Sequence, residues 1–186
     1  MKNPVFTGAA VAIITPMYED GSINFDELGR IIEDQIARGT DAIVICGTTG
    51  ECSTMTDEEQ LAAIKFTVET VNHRVPVIAG AGSNDTDHGC ALAAKSAACG
   101  ADALLLVTPY YNKTTQAGLV AHFTAMAEAG GVKVLIPHHM DLAMSEDMYL
   151  PRIEEMERAV HARVPGCTVI TPERLKWYHM GLSVWA

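Results

Sequence analysis

The feature that most constrains this chain is a repeated alternation. Short runs that are apolar at every position are each followed by a helical pattern, at intervals of about thirty residues. Ala10-Val11-Ala12-Ile13-Ile14 is such a run, ended by Thr15-Pro16. Ala42 to Cys46, Pro76-Val77-Ile78-Ala79 and Ala103 to Val107 repeat it, the last stopped by Thr108-Pro109. A strand with no polar face must be covered on both sides, which is the condition of a parallel sheet.

The segments between these runs read as helices. Asn24 can cap a helix whose apolar positions are Phe25, Leu28, Ile32 and Ile36, with Glu27 as the capping-box acid and Gly39 as the stop after Arg38. Thr56 and Glu59 form a second capping box, ahead of a face made by Leu61, Ile64, Val68 and Val71. An alanine-rich helix from about Thr86 to Cys99 stops at Gly100, and Leu119, Phe123 and Met126 mark a fourth. Four strand–helix units of equal spacing predict a (β/α) barrel of the TIM type. A Rossmann sheet would want GxGxxG after its first strand, and none is there.

The composition shifts near Gly130-Gly131. Residues 1–130 hold 7 basic against 16 acidic side chains, whereas residues 131–186 hold 6 against 7. In the second part, Val132 to Ile136 predicts a strand ended by Pro137, Met148 to about Val164 a helix, and Cys167 to Ile170 a last strand. Eight units need about 250 residues, and the chain has 186. The expectation is therefore the N-terminal half of an α/β barrel over 1–130, five or six units in all, with a divergent segment of separate origin over 131–186.

A net charge of −10 argues against a nucleic-acid backbone or an anionic membrane as partner. No apolar run approaches the ~20 residues that span a bilayer. The opening MKNPVFTGAA has no apolar segment of the signal-peptide kind. Five cysteines, Cys46, Cys52, Cys90, Cys99 and Cys167, are an odd number with no CxxC pair, so reduced thiols in a cytoplasmic protein are expected.

In a barrel, chemistry sits in the loops after the strands. Here these are Thr15-Pro16-Met17, Gly47-Thr48-Thr49-Gly50-Glu51, Gly80-Ala81-Gly82-Ser83-Asn84 and Thr108-Pro109-Tyr110-Tyr111-Asn112. None carries a metal-ligand cluster, and no cofactor is implied. Hydroxyls with backbone N–H groups at a helix entrance suit a carboxylate or another small anion. The same residues also make tight turns with no further role. Four such loops at one end favour a site.

Residues 5 to about 128 resemble the 4-hydroxy-tetrahydrodipicolinate (dihydrodipicolinate) synthase branch of the pyruvate-dependent class I aldolase and lyase family, which includes N-acetylneuraminate lyase. The resemblance is carried by Phe6-Thr7-Gly8, Val11 to Pro16, Gly47 to Glu51, Pro76 to Gly80 and Val107 to Lys113. It implies a (β/α)8 barrel and a homo-oligomer. The implied reaction is a lysine-biosynthesis lyase step in which a lysine Schiff base activates pyruvate for condensation with L-aspartate-4-semialdehyde. By resemblance, Thr48 and Thr49 bind the pyruvate carboxylate and relay protons. Tyr111 is the tyrosine a neighbouring subunit inserts, and Tyr110 lies at the substrate.

The pattern breaks further on. The family has a tyrosine on its fifth strand and the Schiff-base lysine on its sixth, followed by Glu-Ala. Here the fifth strand reads Val134-Leu135-Ile136-Pro137-His138-His139, and no Lys-Glu-Ala occurs. Of Lys2, Lys65, Lys95, Lys113, Lys133 and Lys176, only Lys133 lies in a strand pattern, so the lysine is unassigned and Lys133 is the one candidate. The alternative is a non-catalytic half-barrel fragment or chimera that oligomerises, and a third reading is a metal-dependent hydrolase using His138 or His139. The run Pro137-His138-His139-Met140-Asp141 resembles the end of metallo-β-lactamase-fold hydrolases, where His139 and Asp141 would match metal ligands. No HxHxDH run accompanies it, so no metal is expected.

Overall fold

A computed structural model of the chain describes residues 4–112, 114–136, 158–160, 162–163 and 169–170. Six strands form one sheet in sequence order: β1 (Ala10–Ala12), β2 (Ala42–Ile45), β3 (Val77–Gly80), β4 (Ala103–Leu105), β5 (Lys133–Leu135) and β6 (Val169–Ile170). Every pairing is parallel. Helices α1 (Phe25–Ala37), α2 (Asp57–Val71), α3 (Thr86–Ala98) and α4 (Gln116–Gly130) make the successive crossovers. Consecutive parallel strands, each returned by a helix, are the order of a partial (β/α)8 barrel. The unbroken apolar runs become these strands because both faces are in contact with protein.

The two faces are not covered equally. Ile43, Ile45, Val77, Ala79, Leu104, Leu106, Val134 and Ile136 pack with Leu28, Ile32, Ile64, Leu92, Phe123 and Met126 of the helices in one large cluster. On the inner face, among the described residues, a smaller cluster of four buried side chains, Ala42, Val44, Ile78 and Ala103, has Val5 and Phe6 packed against it. Ile14, included in the first strand by sequence, lies past its end and is 53% exposed.

The capping signals hold with one change. Thr56 and Glu59 close their box: the Thr56 Oγ1 accepts from the Glu59 backbone N–H, and the Glu59 carboxylate accepts from that of Thr56. Asn24 accepts from the Glu27 N–H, but the Glu27 carboxylate goes to Arg30 and leaves the box half-formed. An arginine one turn away offers a charged partner, and that outcompetes the neutral Asn24 N–H. Asn24 N–H donates instead to the Pro16 carbonyl. The predicted helix over 148–164 is described only at 158–160 and 162–163, which are helical, and the last strand only at Val169–Ile170. His138, His139 and Asp141 lie outside the described residues, as do Lys2, Lys113 and Lys176.

Candidate active site

The site begins where β2 stops. Cys46 leaves the strand at a φ of 55°, a short 3₁₀ turn covers Thr48–Gly50, and Glu51 again takes φ 55°. A second 3₁₀ turn, Cys52–Thr54, leads to α2. Left-handed backbone at residues other than glycine costs on the order of 1–3 kcal/mol each and persists only where packing holds it. Here the hold is visible. Thr15, 4% exposed in the loop after β1, donates its hydroxyl to the Gly50 carbonyl at 2.8 Å. Gln60 of α2 donates to the carbonyls of Cys52 and Met55. The Cys46 thiol donates to the Gln60 carbonyl at 3.7 Å.

From beneath, β3 closes the space. A Cβ on Gly80 would sit 1.9 Å from the Cys46 carbonyl oxygen, and one on Gly82 would sit 2.6 Å from the Val107 nitrogen. Only a chain without side chains there lets the three turns meet so closely.

The result is that Gly47 and Gly50 are buried while Thr48 and Thr49 face outward between them. Neither threonine hydroxyl is used in a hydrogen bond among the described residues. Two unspent hydroxyls on a braced turn at the carboxyl end of a buried parallel strand are chemically suited to hold a carboxylate and pass a proton.

The fourth turn presents Tyr110 and Tyr111, 55% and 101% exposed. Tyr111 takes φ 68°, a third left-handed residue among these turns. The Asn112 Nδ2 donates to the Asn84 carbonyl at 3.0 Å and ties the fourth turn to the third. Lys133 is placed elsewhere. It opens β5 and borders a cavity of about 350 Å³ with Val5, Pro76, Asp102, Gly131 and Val132. Pro76, Asp102 and Val132 immediately precede β3, β4 and β5, so this cavity is at the amino ends of the strands, opposite the Thr48–Thr49 turn. No group of three potential metal ligands occurs among the described residues, and no helix among them is long and apolar enough to cross a membrane.

Three parts of the site gave no sequence signal. Thr15 reads as part of a loop after the first strand, but nothing in the sequence pairs its hydroxyl with the Gly50 carbonyl, 35 residues on. The Ser83 hydroxyl, 3.0 Å from His88 Nδ1, and the contact of His88 Nε2 with Asp57 at 2.8 Å join residues with no periodic spacing. The third is His122 of α4, 4% exposed, whose Nδ1 meets the Thr86 hydroxyl at 2.9 Å while Nε2 is buried without a partner.

Two predictions arise here. Burial lowers the His122 pKa from 6.5, with the Ser83 backbone acting the other way. The unfolded chain then binds a proton at His122 that the folded chain refuses, so stability is present above pH 6.5 and is lost as pH falls below it. Urea midpoints at pH 7.5 and 5.5 should differ in that direction, and His122→Asn should reduce the difference. Burial also pushes the Cys46 thiol up to about 12, with Cys52 adding to it. At pH 8 only about one molecule in ten thousand carries that thiolate. Iodoacetamide on the native protein should therefore spare Cys46, as read by peptide mapping, and modify it after unfolding.

Known proteins resemble this chain in sequence and in fold. A sequence profile described as the dihydrodipicolinate synthetase family matches residues 5–158. The 4-hydroxy-tetrahydrodipicolinate synthase of Thermoanaerobacter sp. (strain X514) is 54% identical over 160 residues, covering 84% of this chain and 54% of that one. The enzyme of that name from Acetivibrio thermocellus is 60% identical over 136 residues, 73% of this chain and 46% of that one. Among solved structures, dihydrodipicolinate synthase from Bacillus anthracis superposes with a TM-score of 0.68 at 43% identity, over 69% of this chain and 44% of that one. The chloride-inhibited enzyme from Acinetobacter baumannii, complexed with pyruvate, gives 0.71 at 37% identity, over 87% and 62%. The chain thus spans about half the length of the curated relatives it matches. A half-barrel of consecutive parallel strands, a braced Thr-Thr turn at its carboxyl end and a profile match over most of its length lead to one conclusion: this chain belongs to the dihydrodipicolinate synthetase family.

Proposed function

We propose that this chain carries the carboxylate-binding and proton-relay part of a 4-hydroxy-tetrahydrodipicolinate synthase site. The reaction is condensation of pyruvate, held as a lysine Schiff base, with L-aspartate-4-semialdehyde, in the cytoplasm. The observation that carries the reading is the pair of outward, unspent hydroxyls of Thr48 and Thr49 on a turn braced from three sides. The Thr48 and Thr49 hydroxyls hold the pyruvate carboxylate and move the proton lost when the bound ketone becomes a carbon nucleophile. Tyr110 and Tyr111 approach the substrate, Tyr111 in the site of a neighbouring copy. The place of Lys133, beside a cavity at the opposite end of the strands, argues against it as the Schiff-base lysine. Pyruvate titration followed by NMR tests the reading: the Thr48, Thr49 and Gly50 amides should shift, and a spectrum unchanged at those residues up to high pyruvate sinks it. Borohydride reduction with pyruvate, then mass mapping, should leave Lys133 unmodified.

A second reading, a half-barrel that associates without catalysis, is favoured by the thinly covered inner face and the exposed Ile14. Sedimentation showing a stable monomer would count against it.

A further inference from the structure

Ser83, His88 and Asp57 form a relay outside the Thr48–Thr49 turn. The Asp57 carboxylate can only accept, so His88 Nε2 carries the hydrogen and Nδ1 is the lone pair that takes the Ser83 hydroxyl proton. The Ser83 oxygen in turn accepts the Asp85 N–H at 3.1 Å. A serine, a histidine and an aspartate at such distances have the geometry of an activated nucleophile. Ser83, however, is 5% exposed and its oxygen is already engaged by a backbone N–H, so no substrate reaches it. What the relay does is hold the chain. It joins the start of α2 to the third turn. Asn84, next in sequence, accepts from the Asn112 side chain, and Asn112 N–H closes onto the Tyr110 carbonyl at 2.9 Å.

We propose that His88 is a positioning residue: through Ser83 and Asn84 it fixes the Tyr110–Asn112 segment, and with it the left-handed backbone that turns Tyr111 outward. This rests on the reading above for the use made of Tyr111, but the order of the segment is independent of any reaction. The backbone cap of α3, Asp85 Oδ1 accepting the His88 N–H, survives any side-chain change at 88. The variants therefore keep the helix.

The test is NMR without pyruvate, reading exchange of the Asn112 side-chain amide and the 110–112 backbone, with residues 92–96 as control. His88→Ala should speed the Asn112 exchange about fivefold, the loss of one hydrogen bond's protection. His88→Asn places an acceptor where Nδ1 was and should restore it; His88→Gln keeps the Asp57 contact only and should not. Ser83→Ala, which also frees the Asp85 N–H, should speed the Asn112 exchange at least as much as His88→Ala. Wild-type exchange at 110–112 in both His88→Ala and Ser83→Ala overturns the proposal, as does failure of His88→Asn to differ from His88→Gln. A protein that shifts on pyruvate yet shows unchanged exchange defeats this inference alone; the reverse result defeats only the functional reading.

Discussion

Gly80→Ala should destabilise the protein by roughly 3 kcal/mol or more, at the upper end of overpacking effects. The added carbon would sit 1.9 Å from the Cys46 carbonyl oxygen and 2.5 Å from its carbon, so backbone must move. Cys46 is already in left-handed conformation and buried, with its thiol on α2, so the shift would propagate into the Thr48–Gly50 turn. Gly29→Ala provides the contrast. Its Cβ would meet only the Phe66 ring, at 3.4 Å, and it lies inside α1. That change should stabilise by about 0.5–1 kcal/mol, because alanine loses less chain entropy in a helix than glycine. Urea denaturation of both variants checks the opposite signs; a Gly80→Ala protein as stable as wild type would refute the close packing of these turns.

Thr48→Val and Thr49→Val should each weaken pyruvate binding about 10- to 100-fold, the usual consequence of losing a hydrogen bond to a charged group. Valine keeps the branched shape, and neither hydroxyl serves an internal partner among the described residues, so stability should change little. The pairing of a large binding loss with an unchanged urea midpoint identifies a ligand contact. Equal losses of both would make the threonines structural. Pyruvate titrations of the two variants beside wild type provide the measurement.

The fold was legible because its determinants are local. Apolar runs without a polar face force buried parallel strands, and Thr56 with Glu59 announces the start of α2 three residues apart. The Gly47 to Glu51 turn stands out in the sequence because two hydroxyl residues lie between glycines directly after an apolar run. What escaped is set by register and by distant partners. Lys133 reads as a strand lysine, but pairing opposite Ala103 sets it at the amino end of the sheet, beside Pro76 and Asp102. Glu27 reads as a capping acid until Arg30 claims it. Asp57 and His88 are 31 residues apart, and only the packing of α2 on α3 makes them neighbours.

The strictly consecutive strand order has one more consequence. Each strand–helix unit leans chiefly on the units before and after it, as in a stack of repeats, so the units nearest the middle are secured from both sides and the terminal ones from one. Opening should then be graded. Amides of β1 should exchange before those of β3 and β4, through partial openings that leave the centre of the stack intact. Thr48 and Thr49 follow β2, which β1 and β3 secure from both sides, so their turn should come apart later than the loop that follows β1.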